Sequence, residues 1–146
     1  MQIKSVFKNN EPIPVKYTCD GDNINPPLEI SEIPKNAETF VLICDDPDAP
    51  SKNWVHWVAF NIYAKNISRL EIKESANPGV NGVNDFGSLK YSGPCPPSGT
   101  HRYFFKVYAL DSTLDLKEGA SKKEVESAMT GTIIAQAVLI GTYMRK

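Results

Sequence analysis

Long hydrophobic runs are missing from this sequence: nowhere do the roughly 18 consecutive apolar residues of a membrane-spanning helix occur. The opening residues, MQIKSVFKNN, also lack the apolar segment of a secretory signal peptide. We therefore expect a cytoplasmic protein that makes no integral contact with a membrane.

An excess of charge of one sign is missing as well. The chain carries 16 basic and 17 acidic side chains, a formal net charge of -1. Such a balance gives no electrostatic field that would gather nucleic acid or an anionic membrane surface. Nucleic acid is not expected as a partner, and any anion that the protein binds must be held by a local site.

Cysteine is scarce. Cys19, Cys44 and Cys95 form an odd set without a CxxC pair, which argues against a disulfide framework and predicts reduced thiols. Cys44 lies in the apolar run FVLIC and is expected to pack as a small hydrophobic side chain.

Helical patterns are absent from the first third of the chain, where prolines at positions 12, 14, 26, 27 and 34 allow only short strands and turns. Three stronger strand patterns follow: the apolar run 38–44, the segment 54–64 and the segment 102–111. The 146 residues suffice for one domain, 1–146, with a single sizeable core.

Alternation along two of these strands predicts which side chains share a face. In the second strand one side is expected to hold Trp54, His56, Val58, Phe60 and Ile62. In the third strand one side is expected to hold His101, Tyr103, Phe105 and Val107.

Helix is expected only late in the chain. Ser121 and Glu124 form a capping-box pattern ahead of a helix that Gly131 is expected to break. The following TIIAQAVLI is interpreted as a second helical stretch, so the predicted class is mainly β with short helices late in the chain. Residues 74–100, rich in Asn, Gly and Pro, are expected to form a long, ordered, functional loop.

The two histidines are the main candidates for ligand-binding residues in the sequence. Each follows a proline-rich turn: His56 comes after DDPDAPSKNW and His101 after GPCPPSGT. If their strands are neighbours, both imidazoles and the carboxylates of Asp46 and Asp48 converge at one end of the sheet. Glycine-rich turns add backbone N–H donors, and prolines fix the turn before a ligand arrives, which lowers the entropy lost on binding.

Structural interpretations of the same residues stay open. A buried histidine such as His56 is often only a satisfied core residue. Asp46 and Asp48 can serve as turn caps beside proline. Tyr103 and Trp54 can be plain core aromatics.

Three separated motifs give the chain a family resemblance. DPDAP at 46–50, the strand containing His56, and GPCPPSGTHRY at 93–103 followed by FKVYALD resemble the phosphatidylethanolamine-binding protein family, in its small bacterial and archaeal branch. The likeness extends to NDFG and to SKKEVESAMTGTIIAQAVLIGTY. Raf kinase inhibitor proteins and plant flowering regulators are eukaryotic members of this family.

The resemblance implies a central antiparallel sheet packed on a second, smaller sheet, with a pocket for phosphate, phosphoryl headgroups or similar anions at one end. The positions that match this pocket are Asp46, His56, Pro97, His101 and Tyr103, with Trp54, Asp48 and Gly93 at its edge. His56 and His101 would donate hydrogen bonds, and the backbone of 93–97 would line the wall.

The sequence also departs from the family pattern. Val55 precedes His56 where eukaryotic relatives often have a second histidine, and Cys95 stands where many relatives have glycine. A counterpart of the terminal helix of mammalian relatives is not expected after Lys146. Lipid binding and kinase regulation are therefore not carried over directly.

The leading hypothesis is a non-catalytic binding and regulatory protein for a small anion, without cofactor or metal. GxSxG, Walker and HExxH motifs are absent. Inhibition of a partner protease or kinase through a surface loop is the alternative, and a small-molecule hydrolase, or a nucleophilic Cys95 beside His101, is less favoured. An apolar strand at a sheet edge would favour a homodimer.

Overall fold

The computed structural model describes all residues from 1 to 146 and contains two β-sheets and one α-helix. The strands are β1 (Gln2–Lys4), β2 (Glu11–Pro12), β3 (Leu28–Ser31), β4 (Thr39–Asp46), β5 (Trp54–Tyr63), β6 (Leu70–Ile72), β7 (Val80–Asn81), β8 (His101–Leu110) and β9 (Ile133–Tyr143). A 3₁₀ turn covers Val15–Tyr17, and the helix α1 covers Lys122–Met129. No helix of the protein has the length and apolar character needed to cross a membrane.

The larger sheet has six strands in the order β2-β9-β8-β4-β5-β7, and the smaller has three in the order β1-β3-β6. All pairs are antiparallel except β2 with β9. This arrangement confirms the predicted class, mainly β with a central antiparallel sheet and a second, smaller sheet.

β4 lies at the centre of the larger sheet, and every one of its residues is buried. Leu42 and Cys44 face the core between the two sheets, whereas Val41 and Ile43 face a second core that includes Val125 of α1. A strand covered on both faces needs apolar residues at every position, which explains the continuous apolar run.

The predicted alternation along β5 is wrong at Val58 and Phe60. Cys44 pairs with Trp57 and Asp45 with Val55, so His56 is an extra residue in a β-bulge, and the residues that follow change sides. Val58 and Phe60 therefore lie in the core beneath α1, on the face opposite to that of Trp57 and Ala59. A second register shift, between the pairs made by Phe40 and Leu42, returns Ile62 to the side of Trp57.

α1 begins at the predicted capping box, in which Ser121 and Glu124 satisfy each other's backbone N–H groups. The second predicted helix is wrong, because TIIAQAVLI forms most of β9. Gly131, at a φ of 81°, turns the chain out of α1, and β9 then pairs with β8 along the whole length of that strand. Strand pairing supplies the backbone of β9 with partners across the sheet and overrides the helical propensity of its alanines and leucine.

The prediction of reduced thiols is wrong for two of the three cysteines: Cys19 and Cys95 form a disulfide across 76 residues. Cys44 is the free one and is buried as expected. The odd count arises because one core cysteine adds to a disulfide pair. Because disulfides are typical of oxidising compartments, the cysteines give no support to the expected cytoplasmic location.

Candidate functional site

Three neighbouring strands have their ends at the same edge of the larger sheet. β4 ends at Asp46, β5 begins at Trp54 and β8 begins at His101. Because these strands are antiparallel neighbours in the order β8-β4-β5, the end of β4 lies between the beginnings of the other two. The turns that follow β4 and precede β8 are the two proline-rich motifs of the sequence.

A cavity of about 210 Å³ opens at this edge. It is smaller than the roughly 300 to 1,000 Å³ of sites for drug-sized ligands, so it suits a small group. Six of the eight residues that the sequence singled out line it: Asp46, Trp54, His56, Pro97, His101 and Tyr103. Both histidines of the chain therefore lie at one cavity.

His101 is fixed by Asp46. Its Nδ1 lies 2.6 Å from Oδ2 of Asp46, and both side chains are almost entirely buried. The other carboxylate oxygen of Asp46, Oδ1, accepts the backbone N–H of Asp48 at 2.8 Å. With Nδ1 engaged by the carboxylate, Nε2 is the nitrogen of His101 that remains for a ligand.

His56 is fixed by a backbone carbonyl. Its Nδ1 lies 2.6 Å from the carbonyl oxygen of Ser92, and its ring packs edge-on against Tyr103 and Phe86, with ring centroids 5.2 and 5.3 Å away. Burial lowers the pKa of His56, although nearby carboxylates act in the opposite direction. The ring is thus held in the neutral form over more of the pH range than an exposed histidine.

Tyr103 is completely buried at the floor of the cavity, and its hydroxyl has no hydrogen-bond partner. Burial, and then the negative charge of Asp46, raise its pKa well above the usual range, so the hydroxyl keeps its proton. An unpaired buried hydroxyl costs free energy, and a ligand atom that accepts its hydrogen would remove this cost.

Comparisons with known proteins agree with this architecture. The family model described as phosphatidylethanolamine-binding protein matches residues 3–144. A UPF0098 protein of Methanothermobacter thermautotrophicus is 51% identical over 150 residues, covering 99% of each chain. The chain belongs to the phosphatidylethanolamine-binding protein family.

Solved structures of family members have the same fold. A phosphatidylethanolamine-binding protein homolog from Chlamydia trachomatis is 42% identical, with a TM-score of 0.91 over 99% of this chain and 97% of that one. YbcL of Escherichia coli, described as a new member of the mammalian phosphatidylethanolamine-binding protein family, is 29% identical, with a TM-score of 0.87 over 99% of this chain and 98% of that one.

Two residues that the family resemblance placed at the pocket edge lie outside the cavity lining. Asp48 accepts hydrogen bonds from Nε and Nη2 of Arg102 at 2.9 Å each and from the backbone N–H of Arg102 at 2.9 Å. The hydrogen bonds from Arg102 lower the pKa of Asp48 to about 2. Asp48 therefore ties the DPDAP turn to the start of β8.

Gly93, the second of these residues, packs away from the cavity against the N-terminal segment. Its N–H donates to Oδ1 of Asn23 at 2.7 Å, and a Cβ at this position would collide with the carbonyl oxygen of Tyr17. The glycine is required because the two segments approach too closely for a side chain.

Asn84, in the NDFG motif, is a positioning residue that the sequence did not single out. Its Nδ2 donates to the carbonyl oxygen of His56 at 3.0 Å and to Oγ of Ser92 at 3.0 Å. Its Oδ1 accepts the backbone N–H of Phe86 at 2.9 Å. Asn84 thereby links two residues of the cavity lining, His56 and Phe86, to Ser92. Its appearance within a recognised motif was the only signal available.

Cys95 lines the cavity, but as half of the disulfide. The hypothesis of a nucleophilic Cys95 beside His101 is therefore wrong for this disulfide-bonded form, because a disulfide sulfur has no thiolate to attack with. No group of three or more His, Cys, Asp or Glu side chains is arranged to hold a metal ion.

Proposed function

We propose that this family member is a non-catalytic binding protein whose cavity receives a single small anionic group, a phosphate, phosphoryl or carboxylate group. The proposal depends on polar atoms at the cavity that have no hydrogen-bond partner in the protein. Each histidine uses Nδ1 within the protein and leaves Nε2 without a partner, and the hydroxyl of Tyr103 is unpaired. Three polar atoms thus remain available to bind a ligand at one small cavity.

Charge supports an anion at His101. When this ring is an imidazolium, Asp46 balances its charge through the contact at Nδ1, and Nε2 donates to the anion in a charge-assisted hydrogen bond. A local site of this kind is what a chain of net charge -1 requires.

The walls support a preformed site. Pro50, Pro96 and Pro97 line the cavity, and the disulfide at Cys95 joins the same wall to the N-terminal segment. Proline restricts the backbone before binding, so less conformational entropy is lost when the anion enters.

Calorimetric titration with inorganic phosphate tests the proposal. We expect the wild type to bind phosphate. His101→Ala should weaken binding at least about tenfold, since it removes a hydrogen bond to a charged ligand.

Lys35→Ala is the control, because Lys35 is exposed and lies away from the cavity. It should bind phosphate as the wild type does. Equal affinity of wild type and His101→Ala would contradict the proposal. Incubation with p-nitrophenyl phosphate tests the non-catalytic part, for which we expect no release of nitrophenolate.

A further inference from the structure

His56 has a fixed pattern of donors and acceptors. A carbonyl oxygen can only accept, so the 2.6 Å contact with Ser92 places a hydrogen on Nδ1 of His56 in every protonation state. In the neutral ring, Nε2 is then a lone-pair acceptor. This atom has no partner in the protein, and the ring lines the cavity, so the cavity contains an acceptor as well as donors.

The surroundings of His56 keep it neutral at ordinary pH. Only 3% of the residue is exposed, and burial is the largest influence on its pKa, which it lowers. The charged and titratable groups that face it come from β4, β8 and the 84–90 loop, and they are Asp45, Asp46, Asp85, His101 and Tyr103. The three carboxylates oppose the effect of burial without outweighing it.

Resting on the proposed function, we propose that the pocket selects the anion in a form that carries an acid hydrogen, a phosphoryl group with a P–OH. Nε2 of His56 accepts this hydrogen, while Nε2 of the His101 imidazolium and the hydroxyl of Tyr103 donate to the other oxygens. Inorganic phosphate and phosphate monoesters can present a P–OH. No covalent bond changes, and the hydrogen stays shared between the ligand and His56.

A pocket of this kind binds more weakly those anions of similar shape that lack an acid hydrogen. Sulfate is a fully ionised tetrahedron at neutral pH, and a phosphodiester, the linkage in an intact phospholipid headgroup, has no P–OH. Either would place an oxygen lone pair against the lone pair of Nε2 of His56. A site built around one hydrogen bond discriminates strongly against the analogue that cannot make it.

Titrations at about pH 6.5 and constant ionic strength test this with four probes: inorganic phosphate, methyl phosphate, dimethyl phosphate and sulfate. Phosphoryl groups have their second pKa near 6, so a P–OH is available there at small cost. We expect sulfate and dimethyl phosphate to bind at least about tenfold more weakly than inorganic phosphate. Methyl phosphate binding identifies a monoester as a ligand source in addition to free phosphate.

His56→Gln provides the matched variant, because the glutamine amide can donate as well as accept. Its phosphate-to-sulfate affinity ratio should fall toward one. Lowering the pH of the wild type toward 5 should also shrink the ratio, because a protonated His56 donates to sulfate, and this measurement needs no variant to fold.

The outcomes separate this inference from the proposed function. Equal affinities for phosphate and sulfate in the wild type at pH 6.5 would overturn the selection of the acid hydrogen and leave anion binding intact. Binding of dimethyl phosphate as tight as that of methyl phosphate would overturn it too. Failure of every probe to bind would overturn the proposed function, and this inference with it.

Discussion

At the floor of the cavity, Tyr103 buries a hydroxyl that finds no partner in the protein. Tyr103→Phe removes this group without changing the ring that packs on His56. We expect the free energy of unfolding to stay the same or to rise by up to about 1 kcal/mol, because an unsatisfied buried group is removed. Phosphate affinity should fall about five- to tenfold, because a donor to the anion is lost.

Tyr91→Phe is the matched comparison, because the buried hydroxyl of Tyr91 donates to the carbonyl oxygen of Tyr17 at 2.7 Å. Its removal should cost about 1 to 2 kcal/mol of stability and leave phosphate affinity unchanged. Urea unfolding and calorimetric titration measure both quantities. A Tyr103→Phe variant that loses as much stability as Tyr91→Phe would contradict the expectation.

The sequence predicted the residues at the cavity better than the residues that hold them. His56 and His101 were found because histidine is rare in this chain and follows rigid turns. Asn84 and Ser92 were missed because they act on His56 through contacts 28 and 36 residues away in the chain, which no local pattern shows. Asp48 stood in the right motif, but its partner Arg102 directs it away from the cavity lining.

At the scale of elements, β9 shows why local propensity failed. Ile133, Ile134 and Val138 favour a strand, whereas the neighbouring alanines, glutamine and leucine are strong helix formers. Pairing with β8 determines that this segment is a strand. The paired residues run from His101 opposite Tyr143 to Leu110 opposite Ile133. Such pairing is a tertiary property that a single segment does not reveal.

The disulfide between Cys19 and Cys95 joins two loops that border the site. It closes a long loop, with 76 residues of separation, so the chain-entropy model predicts a loss on the order of 4 kcal/mol when Cys19 and Cys95 are both replaced by serine. Thermal unfolding of the double variant should match that of the wild type under a dithiol reductant. A variant as stable as the oxidised wild type would contradict this expectation.

In the same variant, phosphate affinity should decrease less than the free energy of unfolding. The two loops are also joined by the N–H of Cys19 to the carbonyl oxygen of Pro94 at 3.1 Å and by the N–H of Gly93 to Asn23 at 2.7 Å. These contacts keep the wall in place while the protein is folded. We expect an affinity change below about fivefold at temperatures where the variant remains folded.

For the molecule as a whole, the sequence indicated the class and the central strands because β4 and β5 of the larger sheet are buried on both faces. A run such as 39–46 can satisfy two cores only as a central strand, and the prolines of the first third exclude long helices there. The strand order and the disulfide were not predictable, because they depend on contacts between distant segments rather than on local pattern.

The stability of the whole protein should fall in acid, and His56 and Asp48 should contribute to this fall in two separate pH windows. Burial lowers the pKa of His56, so below its ordinary value near 6.5 the unfolded chain binds a proton that the folded chain resists, and stability decreases as the pH falls through that window. Asp48 has its pKa lowered from 3.8 to about 2, so its contribution is complete above pH 3.8 and is lost as the pH falls toward 2. The Asp48 step should amount to on the order of 1 kcal/mol, because the pair with Arg102 is partly exposed and screened.

Calorimetric unfolding from pH 2 to 8, in buffers without phosphate, separates the two steps by variant. His56→Gln should flatten the melting-temperature profile below pH 6.5 and leave the lower step, whereas Asp48→Asn should flatten the step between about pH 4 and 2 and leave the upper one. Asp115→Asn, at an exposed aspartate without a hydrogen bond, should change neither step. A His56→Gln profile that falls below pH 6.5 as steeply as that of the wild type would mean that the folded chain does not resist protonation of His56, which would also remove the neutral acceptor on which the selection of an acid hydrogen depends.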